Sequence, residues 1–208
     1  MTILSVNVNK IALLRNSRGR NFPDLLYFVR RLIGLGVKGI TVHPRQDERH
    51  VTRHDVVEIT ALLRDFPGIE FNIEGYPSPE FMALIARVKP AQCTLVPDAP
   101  DQLTSDHGWD VRPNAALLRT VLAELRELGV RSSLFLDPSV EAVEQVLAEH
   151  VGRLAHGRQV VDLVPLGNQR DVVQQLLLLL LRAQVQAEFG QALLQAGGQG
   201  WTHAAAWP

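Results

Sequence analysis

Strand-like and helix-like segments alternate five times along this 208-residue chain at a spacing of about 30 residues, the signature of βα units and a parallel sheet. Over residues 3–8, Leu4, Val6 and Val8 fall on one side and Ser5, Asn7 and Asn9 on the other, which predicts a first strand. Residues 10–20 read as an irregular loop carrying Arg15, Arg18 and Arg20, after which Pro23 and Asp24 open an amphipathic helix stopped by Gly34 and Gly36. A second strand is expected over 38–43. Thr52 is then the expected N-cap of a helix to about residue 65, with Pro67-Gly68 as its breaker. The third strand, 69–73, sets Ile69, Phe71 and Ile73 against Glu70, Asn72 and Glu74. In an antiparallel sheet the polar side would meet solvent, whereas in a closed parallel barrel it points inward and lines a site. Ser78 caps a helix to about 88, and a fourth strand at 92–96 leads into a long loop, 97–113, holding Thr104, Asp106, His107 and Asp110. A helix over 114–128, a fifth strand over 131–136, and a helix from Pro138 to about 150 complete the regular part.

An eight-fold barrel and an open doubly wound sheet both satisfy this order. No Gly-x-Gly-x-x-Gly follows a strand, which favours the barrel. The fold class expected is therefore α/β, a TIM (β/α)8-type barrel. Only about six βα units are readable, counting a sixth strand at 160–164, so the barrel reads as incomplete within a single domain over 1–208. The last third differs in texture. Gln occurs three times in residues 1–144 and ten times in 145–208, while all three lysines, Lys10, Lys38 and Lys89, lie in the first part. Two accounts of 145–208 compete, a divergent carboxyl terminus and a reading frame that changed near residue 145, and the Gln and Leu runs favour the second.

Composition excludes several roles. A net charge of −1 and a pI near 6.7 supply no basic field for nucleic acid and no polybasic membrane patch. The leucine run 176–181 is far shorter than a membrane span and is flanked by Gln174, Gln175 and Arg182. The first residues carry no basic n-region and no long apolar segment, so no signal peptide is expected, and Cys93 is the single cysteine, in an apolar run. A reducing cytoplasm is the expected setting.

The stretch from Gly39 to His50 carries the chemistry. It turns from a β-branched run ending in His43 into a loop with Arg45, Arg49 and His50, so that two imidazoles and two guanidiniums fall within eight residues. Such a loop can hold an anion and move protons, and the carboxyl end of a strand is where α/β folds place their chemistry. The strand ends and adjoining loops offer Asn7, Asn9, His43, Glu70 and Thr104 with Arg15, Arg18, Arg45 and His50. His43 and His50 share no helix face, and no carboxylate or His-Cys cluster completes a metal shell, so no metal is expected. No nucleophile elbow is present either. General acid–base work by His43 and Glu70 remains, beside guanidiniums suited to phosphate.

These motifs also carry a resemblance. Ser-Val-Asn-Val-Asn-Lys-Ile-Ala-Leu-Leu-Arg-Asn-Ser-Arg-Gly, Gly-Ile-Thr-Val-His-Pro-Arg-Gln-Asp-Glu-Arg-His, Ile-Glu-Phe-Asn-Ile-Glu-Gly, Leu-Val-Pro-Asp and Gln-Leu-Thr-Ser-Asp-His-Gly occur in that order, and Ser-Leu-Phe-Leu-Asp continues them. Together they resemble the pyridoxine 5′-phosphate synthase family, to about residue 139. The resemblance implies a TIM barrel in a homo-oligomer, commonly an octamer. It implies condensation of two small phosphorylated substrates, 1-deoxy-D-xylulose 5-phosphate and 3-amino-2-oxopropyl phosphate, to pyridoxine 5′-phosphate, phosphate and water. The substrate's own amine forms the imine, so no enzyme lysine and no cofactor is implied. Carried over by motif, Asn7 and Arg18 bind the aminoketone phosphate, and Asn9, Lys10, Arg45, His50 and Thr104 bind the pentulose phosphate. His43 and Glu70 transfer protons. The chain departs from the family where Asn9-Lys10 replaces a common Asp-His. Neither the family's Asn-Ala-Gly-His motif nor a later Gly-His pair occurs in 145–208, and Val161-Asp162-Leu163-Val164 stands where Glu-x-x-Thr-Gly is expected.

Overall fold

The computed structural model describes residues 4–98, 102, 105–148 and 160–163. Six strands, β1 (Ser5–Asn7), β2 (Gly39–Val42), β3 (Glu70–Gly75), β4 (Gln92–Leu95), β5 (Arg131–Leu136) and β6 (Val160–Leu163), form one sheet. Every neighbouring pair is parallel, and the spatial order is the chain order. A doubly wound sheet reverses direction at an internal strand, so this monotonic order settles the choice in favour of barrel-type winding. The helices between the strands are α1 (Asn9–Ser17), α2 (Leu25–Gly34), α3 (Arg53–Leu63), α4 (Pro79–Val88), α5 (Val111–Glu127) and α6 (Val140–Ala148).

The two sides of the sheet have opposite chemistry. Ile40, Val42, Phe71, Ile73, Cys93, Leu95, Leu134 and Leu136 are buried in one core with Val29, Val56, Ile59, Ile85, Leu118 and Leu125 from the helices. The other side carries hydroxyls and amides that bond across the strands. Ser5 Oγ lies 2.8 Å from Thr41 Oγ1, Asn72 Nδ2 donates to Thr41 Oγ1, and Thr94 Oγ1 donates to Asn72 Oδ1 at 2.9 Å. This belt satisfies polar groups that an apolar interior would leave stranded, and it makes the Asn72 side the inward one, as a barrel requires. Gly39 lies on that side because a Cβ there would come within 2.8 Å of the Ser5 side chain.

Several local expectations hold to the residue. Thr52 caps α3 in a full capping box with Asp55, Ser78 caps α4 and Asp24 caps α2. Two do not. Residues 9–17 form a helix where a loop was expected. The three arginines of 10–20 drew attention to charge, while Ile11, Ala12, Leu13 and Leu14 are good helix material and Ala12 is fully buried. Helix α5 starts at Val111, ahead of Pro113, because a proline in the first turn gives up an N–H that has no partner within the helix anyway. The long loop before α5 is shortened accordingly. Gly108, at its end, lies against β5: an added Cβ would sit 2.2 Å from the Asp137 nitrogen. Its N–H also donates to Asp137 Oδ1 at 2.8 Å. Gly108→Ala is therefore expected to lower stability by about 3 kcal/mol, measured by urea unfolding. Of the stretch 145–208, only the end of α6 and β6 are described, and the leucine run 176–181 lies outside the described residues.

Candidate active site

The carboxyl ends of β1, β2 and β3 converge on one cluster. Asn7 closes β1, and its Oδ1 accepts the Asn9 N–H at 2.9 Å, turning the chain into α1. Asn9 Oδ1 in turn accepts the His43 N–H at 2.9 Å, and Asn7 Nδ2 donates to Glu74 Oε2 at 3.3 Å. Asn7, Asn9, His43 and Glu74 thus form one hydrogen-bonded set across three strands.

Beyond β2, His43 and Arg45 are buried, at 6% and 7% exposure. Arg45 Nη1 donates to Asp98 Oδ2 at 2.7 Å, its Nη2 donates to the Gln102 carbonyl, and Ser105 Oγ donates to the same Asp98 oxygen at 2.6 Å. His43 Nε2 lies 3.9 Å from Asp98 Oδ2, and the His50 ring is 5.9 Å from the His43 ring. A cleft lined by His43, Arg45, Gln46, Tyr76, Phe81 and Asp98 opens beside them. Tyr76 stacks on Trp109 at 5.9 Å, and the indole N–H of Trp109 is fixed to the Leu95 carbonyl at 2.9 Å, which closes the wall next to β4.

Electrostatics set the protonation of this wall. Burial, with the neighbouring His50 and Arg45 adding to it, pushes the His43 pKa down to about 3. Burial and Arg45 also lower that of His50. His43 is thus a neutral imidazole at neutral pH. The same shift links to stability. Below about pH 6.5 the unfolded chain binds a proton at His43 that the folded chain refuses until about pH 3, so stability falls as pH falls through that window. Wild type should lose about 1.4 kcal/mol per pH unit there on this account, and His43→Gln should remove that part of the slope in urea titrations from pH 7 to 4.

The loop from Asp47 to His50 is held from outside the sheet. Glu48 adopts a left-handed backbone, φ 49°, which is uncommon for a residue with a Cβ. Asn16 Nδ2 reaches the carbonyl oxygens of Glu48, Arg49 and His50 at 3.4, 3.1 and 2.7 Å. Arg15 grips Asn16 Oδ1 and makes a two-pronged ion pair with Asp55, at 2.5 and 2.8 Å. Burial would raise the Asp55 pKa, but the bonds from Arg15 and Thr52 together hold it below the usual carboxylate range.

Of the residues expected from sequence, Asn7, Asn9, His43, Arg45 and His50 come together. Glu70 does not, which corrects its assignment as a proton-transfer residue at a strand's carboxyl end. It is the first residue of β3, at the amino end, where its carboxylate pairs with Arg131 at 3.2 and 2.5 Å and its side chain is 46% exposed. Glu74, four residues on and facing the same side, occupies the carboxyl end. Lys10 and Arg18 are exposed on α1, and Arg18 caps its carboxyl end, about 13 Å along the helix axis from Asn9. Thr104 lies outside the described residues. Sequence reading missed Asp98 and the Arg15–Asn16–Asp55 buckle. Asp98 did have a local signal, since it directly follows the fourth strand in Leu-Val-Pro-Asp.

The winding of the sheet and the polar cluster at its strand carboxyl ends define a protein of the TIM-barrel type. Residues 4–154 match the family described as pyridoxal phosphate biosynthesis protein PdxJ, and the chain belongs to that family. It is 51% identical over 144 residues to pyridoxine 5′-phosphate synthase of Phocaeicola vulgatus, covering 69% of this chain and 59% of that one. The Bacteroides fragilis enzyme of the same name is 52% identical over the same length and coverage. The Agrobacterium fabrum one is 48% identical over 150 residues, covering 72% of this chain and 60% of that one. The chain thus spans about three-fifths of the length of the curated relatives it matches.

Proposed function

We propose that this chain is a pyridoxine 5′-phosphate synthase, condensing 1-deoxy-D-xylulose 5-phosphate with 3-amino-2-oxopropyl phosphate in vitamin B6 biosynthesis. The observation that carries this reading is the neutral, buried His43 at the end of β2, flanked by Arg45 and His50 and bonded through Asn9 to the cluster that contains Glu74. In this reading Arg45 and His50 take the pentulose phosphate, with Asn9, Lys10 and Thr104 contributing, and Asn7 takes the aminoketone phosphate, while Arg18, at the far end of α1, stands apart from them. His43 and Glu74 exchange protons with the condensing carbons, Glu74 replacing Glu70 in that role. The cationic fork of Arg45 and the imidazoles suit a phosphorylated ligand, and the chemistry calls for no bound cofactor because the aminoketone brings its own amine.

The setting proposed is a cytoplasmic homo-oligomer. Among the described residues no helix is long and apolar enough to cross a membrane. Phe22, Tyr27 and Leu35 are exposed on and around α2, apolar area that a second copy can cover. The deciding assay incubates purified chain with both substrates and follows pyridoxine 5′-phosphate, which should accumulate above blank. A second reading is a defective member of the family. It predicts pentulose phosphate binding with no product.

A further inference from the structure

His43 has two neighbours that each hold a buried polar atom without a hydrogen-bond partner, Asp98 Oδ1 and His50 Nδ1. Natural proteins rarely leave such atoms unmet, and those that remain commonly face a ligand position. Asp98 is the more telling of the two. It is 6% exposed, its Oδ2 is taken up by Arg45 and Ser105, and it lines the cleft beside His43.

We propose that Asp98 is a substrate-binding residue of this site, with Oδ2 holding Arg45 in place and Oδ1 accepting a hydroxyl of the phosphorylated sugar. The inference rests on the functional reading above and adds to it the orientation of the ligand. An ionised carboxylate only accepts hydrogen bonds, so the group that meets Oδ1 must donate. A phosphate oxygen beside it is repelled, whereas a hydroxyl gains a charge-assisted bond. The phosphate is therefore directed to the edge of Arg45 away from Asp98, towards His50, and the hydroxyl-bearing carbons lie against Asp98. That places the carbon chain next to His43, whose Nε2 lies 3.9 Å from Asp98 Oδ2 and whose ring lies 5.9 Å from that of His50. Arg45 keeps donors for this task, because a guanidinium has five N–H groups and Asp98 and the Gln102 carbonyl engage two nitrogens.

The test is calorimetric titration of the full chain with 1-deoxy-D-xylulose 5-phosphate and with analogues lacking one secondary hydroxyl at a time. Asp98→Asn keeps an oxygen for Arg45 and replaces the free acceptor with a donor. It should weaken pentulose phosphate binding by about 10- to 100-fold while leaving inorganic phosphate binding no weaker than in wild type. The analogue that lacks the relevant hydroxyl should bind wild type weaker by a similar factor and should bind Asp98→Asn and wild type alike. The analogue arm uses wild-type protein, so it decides the matter even if the variant fails to fold. Equal affinity of wild type for the parent sugar and all analogues overturns the assignment of Asp98 and leaves the functional reading standing. Failure of wild type to bind the parent sugar at all overturns both.

Discussion

Glu74→Gln is expected to lower kcat by about 10²- to 10⁴-fold, the usual cost of removing a general acid or base, while Glu70→Gln stays close to wild type. The two carboxylates belong to one strand and face one side, so they differ only in which end they occupy. Glu74 is bonded by Asn7 at the carboxyl end of β3, in the same set as Asn9 and His43. Glu70 is paired with Arg131 at the other end, where side chains 46% and 28% exposed make an ion pair worth less than about 1 kcal/mol. Measuring kcat and urea unfolding for both variants separates the two roles. A large rate loss in Glu70→Gln with normal rates in Glu74→Gln would reverse the assignment.

Asp55→Ala should be the most destabilising of the substitutions considered, by about 3–5 kcal/mol, because it strands the Arg15 guanidinium, only 13% exposed, and removes the α3 capping box as well. For a chain of this length that corresponds to a melting temperature lower by about 10 °C, readable by circular dichroism. The loss reaches the site, since Arg15 also steadies the Asn16 side chain that gathers the carbonyls of Glu48, Arg49 and His50. A higher KM for the pentulose phosphate should therefore accompany the lower stability. An unchanged melting temperature would mean that the ion pair contributes nothing net.

The sheet was legible because its signals are local. Period-two alternation in β3, the helix caps Asp24, Thr52 and Ser78, and the helix stop at Gly36 each depend on a few adjacent residues. Winding direction followed only weakly from sequence, since both α/β architectures share that local grammar, and the strand order had to decide it. Within the site, His43, Arg45 and His50 stood out because they crowd one loop. Glu70 and Glu74 could not be separated by periodicity, which reports a face and not an end. The strand's direction supplies the missing fact, because β3 runs from Glu70 towards Glu74 and barrel chemistry sits at the carboxyl ends. Asp98 and the Arg15–Asp55 pair join residues 53 and 40 positions apart, so their partnership exists only once the chain has folded. The helix at Asn9–Ser17 was hidden by the arginines of residues 10–20, whose charge says little about backbone conformation.

The most direct measurement is a crystal structure of the chain with 1-deoxy-D-xylulose 5-phosphate bound. The phosphate is expected within hydrogen-bonding distance of Arg45 and His50, the sugar carbons beside His43, and a hydroxyl on Asp98 Oδ1. A ligand seated at the amino-end mouth against Glu70 and Arg131, or one that leaves the ends of β1, β2 and β3 untouched, would contradict this placement.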